Sequence, residues 1–271
     1  MDRDGPVKNT TSQPCFILVP LYIYPTATSW DPLFSAAHLH PHLEFLVIIN
    51  PSNGPGASID ADANYTAALK RLTLEPNVKI LGYVYCSFGE RCSAEVEHDI
   101  QVYLGLICQE LLIQDIRLDG IFFDESPCGP EHVDYMAHFS EFARSVLPVD
   151  SAGLPCPAII VYNPGIFVSA AYYEFADYIV VFENKAAEWN SSYVRQNVET
   201  LSPELRERSI GIAHSAGDIA SQMQSGKDIA LFSGFAGHFV TTNSGYEKWC
   251  LNWKGYVGQA DGWNREGEDL V

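Results

Sequence analysis

Positive charge is scarce in this chain. Sixteen Lys and Arg stand against 34 Asp and Glu, a formal net charge of -18. Such a surface repels phosphate backbones and anionic lipid, which argues against nucleic-acid and membrane partners and favours a cationic one. Long apolar runs are also missing: none reaches the ~18 uncharged residues of a spanning helix. The segment from Met1 to Gln13 is polar and carries no apolar signal core. Residues 1–14 read as a disordered or tag-like segment ahead of a single domain over 15–271. No Cys-x-x-Cys pair occurs among the seven cysteines, so zinc ribbons and thioredoxin-type motifs lack support. The odd count leaves at least one thiol unpaired, and the expectation is buried free thiols with one or two disulfides. No repeat, low-complexity tract or linker divides the chain. Two nucleophile or phosphate motifs fail as well. Ala213 replaces the first glycine of a Gly-x-Ser-x-Gly elbow before Ser215, and no Gly-Lys-Ser/Thr follows Asn53-Gly-Pro-Gly56.

Apolar residues, by contrast, make up 47% of the chain, enough for a sizeable core. They gather in runs: Phe16–Tyr24, Glu44–Asn50, Lys79–Cys86, Gly120–Glu125, Ala158–Asn163, Asp177–Glu183, Ser209–His214 and Asp228–Phe235. Near-continuous apolar runs suit parallel strands covered on both faces. Between them, helical spacing predicts helices over Ala61–Leu74, with Asp60 or Asp62 as cap, and over Ser93–Ile113 and Glu131–Leu147. Shorter helices are predicted over Tyr193–Leu201 and Asp218–Gln224. The stretch after Thr241 is rich in Gly and Trp and shows no clear period. Eight strands alternating with helices predict a (β/α)8 barrel, an α/β fold of TIM type, with an open doubly wound sheet as the alternative.

Barrel enzymes carry their chemistry at the C-terminal strand ends. Those ends hold Tyr22 and Tyr24, Asn50, Tyr83 and Tyr85, Asp124 with Glu125, Asn163, Glu183 and His214. Carboxylates with amides and aromatics suit sugar chemistry: acid, base or nucleophile, hydroxyl binding, and stacking on a ring. Gly120-Ile-Phe-Phe-Asp-Glu125 and Tyr178-Ile-Val-Val-Phe-Glu183 each drive an apolar strand into an acid. Asp124 and Glu125 point to opposite faces unless the strand breaks between them. A catalytic pair would stand ~5–5.5 Å apart for retention of configuration and roughly 6.5–9.5 Å apart for inversion, and the sequence leaves both open. His38, His40 and His42 could bind a metal, although Pro41 among them suits a solvated loop. Sequons stand at Asn9, Asn64 and Asn190.

Leu18-Val-Pro-Leu-Tyr-Ile-Tyr-Pro25, Ile48-Ile-Asn-Pro-Ser-Asn-Gly-Pro-Gly56, Gly82-Tyr-Val, Gly120–Glu125, Tyr162-Asn-Pro-Gly165 and Phe182-Glu183 together resemble the spherulin-4-like (spherulation-specific) family, glycoside hydrolase family 135. The resemblance runs in order from Leu18 to Glu183 and more weakly to Phe235. It implies a (β/α)8 barrel and endo-cleavage of α-1,4-linked N-acetylgalactosamine in galactosaminogalactan, a partly cationic polysaccharide of cell wall and biofilm matrix. It implies an extracellular or cell-wall location. The family's essential acids fall on Asp124, Glu125 and Glu183. Asp124 is expected as nucleophile or transition-state stabiliser and Glu183 as general acid/base, with the exchange of these two roles as the alternative, and Glu125 as a partner that orients a hydroxyl or tunes its neighbour's pKa. Tyr22, Tyr24, Asn50, Tyr83, Tyr85, Asn163 and His214 are candidate substrate contacts. No cofactor or metal is implied, since a proton and a carboxylate suffice, and a monomer is expected. Two rival readings are a non-catalytic polysaccharide-binding spore or wall protein and a metal-dependent polysaccharide deacetylase built on the histidine cluster.

Overall fold

The computed structural model describes residues 14–56, 62–108, 116, 118–146 and 157–268. The segment 1–13, the sequon at Asn9, Cys156 and the end of the helix expected to reach Ile113 lie outside the described residues. Eight parallel strands close into a barrel in sequence order, which excludes the open sheet. They are β1 Phe16–Leu21, β2 Phe45–Ile49, β3 Val78–Tyr85, β4 Gly120–Asp124, β5 Ile159–Tyr162, β6 Tyr178–Lys185, β7 Ser209–His214 and β8 Gly237–Val240. The helices are α1 Asp31–Leu39, α2 Ala63–Thr73, α3 Ser93–Cys108, α4 Val133–Val146, α5 Ser192–Thr200, α6 Pro203–Arg206, α7 Ile219–Lys227 and α8 Trp253–Glu268. Only a short 3-10 turn, Ala170–Glu174, separates β5 from β6.

Register decides which side chains face inward. Leu21, Ile49, Gly82, Ile121 and Ile160 share one hydrogen-bonded row. Their row faces the helices, because a Cβ on Gly82 would stand 2.8 Å from the Tyr103 ring of α3. The absent side chain lets Tyr103 lie flat on β3. Its hydroxyl meets the Ile49 carbonyl at 3.1 Å and accepts from the Tyr83 amide at 3.1 Å. Residues in the neighbouring rows, Phe122 and Asp124 among them, therefore point into the barrel. Helix caps follow the sequence where it was explicit. Asp62 accepts from the amides of Asn64 and Tyr65, and Asp218 from that of Ser221.

The last strand differs from its expected position. Asp228–Phe235 is no strand; residues Asp228–Phe232 form a turn of π-helix that continues α7. Gly211 on the outer face of β7 leaves room there, with Ile229 packed over it. The true β8 begins at Gly237, where a side chain would collide with the Phe16 ring that closes the barrel. Its one outward polar residue, His238, is buried against Tyr256 and Trp263 of α8, and burial pushes its pKa down to about 3. The period-poor tail therefore holds a helix that seals the barrel seam, and Asn264 ties it to the Cys15 backbone at 2.9 Å in both directions. Helix α1 was likewise unanticipated. Cys15, Cys86, Cys92, Cys128 and Cys250 are free thiols, so none of these five joins a disulfide.

Two glycine substitutions test this packing through urea unfolding midpoints. Gly82→Ala should lower stability by ~1–3 kcal/mol, because Tyr103 cannot retreat without losing its hydroxyl contacts. Gly258→Ala in α8, where a Cβ meets nothing within 4 Å, should raise it by ~0.5–1 kcal/mol.

Candidate active site

The inward row of β4 ends at Asp124. Glu125 would point outward on a regular strand, but its φ of 48° ends the strand there. This break holds both acids at the barrel mouth, where Glu125 lies within electrostatic reach of Asp124 and Tyr83. The turn is bonded to the neighbouring loop. The Asp124 carbonyl accepts from the Cys86 amide at 2.8 Å, and the Glu125 carbonyl from the Phe88 amide at 2.7 Å.

Glu183 reaches the mouth by a different device. Tyr178 pairs with inward Val161, and strict alternation from Tyr178 would turn Glu183 toward the helices. A bulge between Val180 and Phe182 shifts the register, so that Phe182 pairs with outward Gly211 and Glu183 with inward Ile212. Phe182 then packs on Trp189, and the Glu183 amide donates to the Gly165 carbonyl at 3.0 Å. Gly165 itself has φ 68°, a turn that suits glycine.

Asn163 joins the two acids. One side-chain nitrogen donates to Asp124 Oδ1 at 2.7 Å and to Glu183 Oε2 at 2.5 Å. Two bonds to one atom keep those oxygens within about 5.2 Å of each other. Each carboxylate also accepts a phenol: Tyr83 Oη donates to Asp124 Oδ2 at 2.7 Å, and Tyr246 Oη to Glu183 Oε1 at 2.6 Å. Tyr22 stands edge-on to both phenols, with ring centroids 5.6 Å and 5.7 Å away. Burial and the adjacent acids raise the pKa of all three tyrosines, so they stay neutral, Tyr83 and Tyr246 as donors to the acids. Burial pushes the Glu183 pKa up. The Tyr246 bond pulls it back, Asp124 raises it further, and Asn163 lowers it. Glu125 is raised too, by burial and then by Asp124. With both Asn163 protons spent on carboxylates, its buried Oδ1 has no partner.

Of the expected contacts, Tyr22, Tyr83 and Asn163 join the acids. His214 faces the mouth beside Lys185, and burial with that charge lowers its pKa, favouring the neutral ring. The others are engaged elsewhere. Tyr24 Oη donates to Asp62 and accepts from Asn64, at the cap of α2. Asn50 Oδ1 accepts from the Gly54 amide at 2.9 Å and closes a turn. Tyr85 carries the Arg91 guanidinium 4.0 Å over its ring. His40 pairs with Asp261 of α8 at 3.0 Å, and His38, His40 and His42 form no common ligand set. Among the described residues, no three His, Cys, Asp or Glu side chains are grouped to hold a metal. No described helix is long and apolar enough to cross a membrane. Sequence reasoning missed Tyr246, which lies in a segment with no period to single it out, and Asn53, whose Oδ1 is 3.2 Å from Tyr83 Oη.

The raised Glu183 pKa has a consequence for stability. A carboxyl raised on folding favours the native state while protonated, and that advantage is lost as pH rises through the raised value. Glu183→Gln does not titrate. Its melting temperature should match wild type near pH 4 and exceed it at pH 7, checked by calorimetry at the two pH values.

Comparison with known proteins identifies the family. The spherulation-specific family 4 model matches residues 16–260. Spherulin-4 of Physarum polycephalum is 30% identical over 212 residues, 76% of this chain; the chain spans 57% of that protein's length. The crystal structure of Aspergillus clavatus Sph3 in complex with GalNAc superposes with a TM-score of 0.82 at 27% identity, covering 92% of this chain and 98% of that one. A chitinase from Bacteroides thetaiotaomicron, 10% identical with a TM-score of 0.53, shares the fold alone; it covers 95% of this chain and 98% of its own. The match across nearly the whole described barrel establishes that the chain belongs to the spherulation-specific family 4.

Proposed function

We propose that this protein is a retaining, endo-acting glycoside hydrolase that cleaves α-1,4-linked N-acetylgalactosamine in a galactosaminogalactan-type exopolysaccharide. The observation that carries the reading is a carboxylate pair whose facing oxygens Asn163 holds within about 5.2 Å of each other, a close approach that favours the ~5–5.5 Å carboxyl separation of double displacement over the wider one of inversion. The GalNAc bound to the similar Sph3 structure supports the sugar. An extracellular, cell-wall or biofilm location would follow from such a substrate.

Protonated Glu183 gives its proton to the glycosidic oxygen. Asp124 attacks the anomeric carbon as the bond to the leaving sugar breaks, forming a glycosyl ester. Glu183, now ionised, takes a proton from water, and that water's oxygen displaces Asp124 and restores both groups. Asn163 and Tyr83 stabilise Asp124 as the departing carboxylate. Glu125 accepts a hydrogen bond from a hydroxyl of the sugar. Partly deacetylated chains carry amines, which the net charge of -18 draws in from solution. A binding-only protein would need the same mouth but no proton donor, and the raised Glu183 pKa favours the enzyme.

Asp124→Asn and Glu183→Gln should each reduce hydrolysis of N-acetylgalactosamine oligomers by at least 10²-fold while the fold persists. Near wild-type turnover in both, measured as reducing ends released, would overturn the assignment.

Tyr246→Phe tests the acid role through pH. The phenol stabilises ionised Glu183, so its loss should raise the Glu183 pKa. The alkaline limb of kcat/KM, where the acid loses its proton, should then move to higher pH. A limb that stays in place or moves down would remove Glu183 from that role.

A further inference from the structure

The loop after β3 holds three consecutive residues in the left-handed region: Ser87 at φ 48°, Phe88 at 54° and Gly89 at 91°. Glycine occupies such a conformation freely; a bulky aromatic residue rarely does. Burial does not explain its presence, because Phe88 is 63% exposed. The loop is also fixed in place. The Phe88 amide donates to the Glu125 carbonyl, the Cys86 amide to that of Asp124, and a Cβ on Gly89 would stand 3.0 Å from His132. A strained, anchored backbone thus holds an unpartnered ring in solvent beside the catalytic acids. Tyr24, also exposed at the mouth, differs: its hydroxyl is bound to Asp62 and Asn64 and its ring lies against Tyr65.

We propose that Phe88 is the stacking platform of an outer subsite, binding a galacto-configured sugar of the same chain beyond the two sugars joined by the bond being cleaved. This rests on the hydrolase reading above. A galacto-configured pyranose has an axial 4-hydroxyl, so its C3, C4 and C5 hydrogens share one continuous apolar face. That face matches a flat exposed ring that offers no hydrogen bond. A gluco-configured sugar divides its apolar hydrogens between two faces and fits less well. Phe88 therefore favours long substrates over short ones and galacto over gluco configuration.

The test measures kcat/KM on short and long N-acetylgalactosamine oligomers for wild type, Phe88→Ala and Phe88→Trp. In Phe88→Ala the long-to-short ratio should fall about tenfold, or about 1.4 kcal/mol, and Phe88→Trp should restore it. Phe88→Gly, which is free of strain at this φ, should lose the same preference yet melt at or above the wild-type temperature. An unchanged ratio in Phe88→Ala, an equal loss on both lengths, or a Phe88→Gly that melts below wild type would each overturn the subsite. Calorimetric titration of the long oligomer into Glu183→Gln, with and without Phe88→Ala, separates this from the parent reading. If wild type cleaves nothing while the second substitution weakens binding about tenfold, the subsite stands and the hydrolase falls. If wild type cleaves and binding is unaffected by Phe88→Ala, the hydrolase stands and the subsite falls.

Discussion

Two carboxylates whose facing oxygens lie within about 5.2 Å of each other repel one another, and the structure around them is built to contain that repulsion. Asn163 places one proton of the same nitrogen on each. Tyr83 supplies a further donor to Asp124, and Tyr246 one to Glu183. The outcome is asymmetric, because Glu183 sits where burial raises its pKa. A pair that shares an amide but differs in surroundings is the arrangement from which acid and nucleophile roles separate.

Backbone irregularity concentrates at the same end of the barrel. Among the described residues, the left-handed non-glycine positions are Asn53, Ser87, Phe88, Glu125 and Ser215, all following the C-terminal ends of strands. Each costs ~1–3 kcal/mol relative to a relaxed turn. The bulge in β6 belongs with them, since it aims Glu183 inward at the expense of regular pairing. The opposite end is tied by ordinary means: a closing Phe16–Gly237 contact and the Asn264 bonds to Cys15. The core stabilises what the mouth strains.

The barrel was legible because buried parallel strands leave continuous apolar runs, and Asp124 was legible because it ends one of them. Glu183 was found as an acid at a strand end, but its direction was not readable. Alternation from Tyr178 points it outward, and only the register shift, a tertiary feature, corrects this. The apolar run Asp228–Phe235 looked like a strand because a helix covered on several sides also lacks polar alternation. Tyr24, Asn50 and Tyr85 also stand at strand ends, and each is held there by a local contact that the sequence does not announce. Tyr246 had no signal at all: its role depends on a loop that returns across the mouth after β8.

The role proposed for Asp124 and Glu183 is that of a closely spaced retaining pair. It is tested most directly by the configuration of the first-formed product, followed by proton NMR as an N-acetylgalactosamine oligomer is cleaved and before mutarotation. With a retaining pair the α-anomer appears first and relaxes toward equilibrium. Initial release of the β-anomer would mean that water attacks in a single step, and it would contradict both the double displacement and the role given to the spacing that Asn163 enforces.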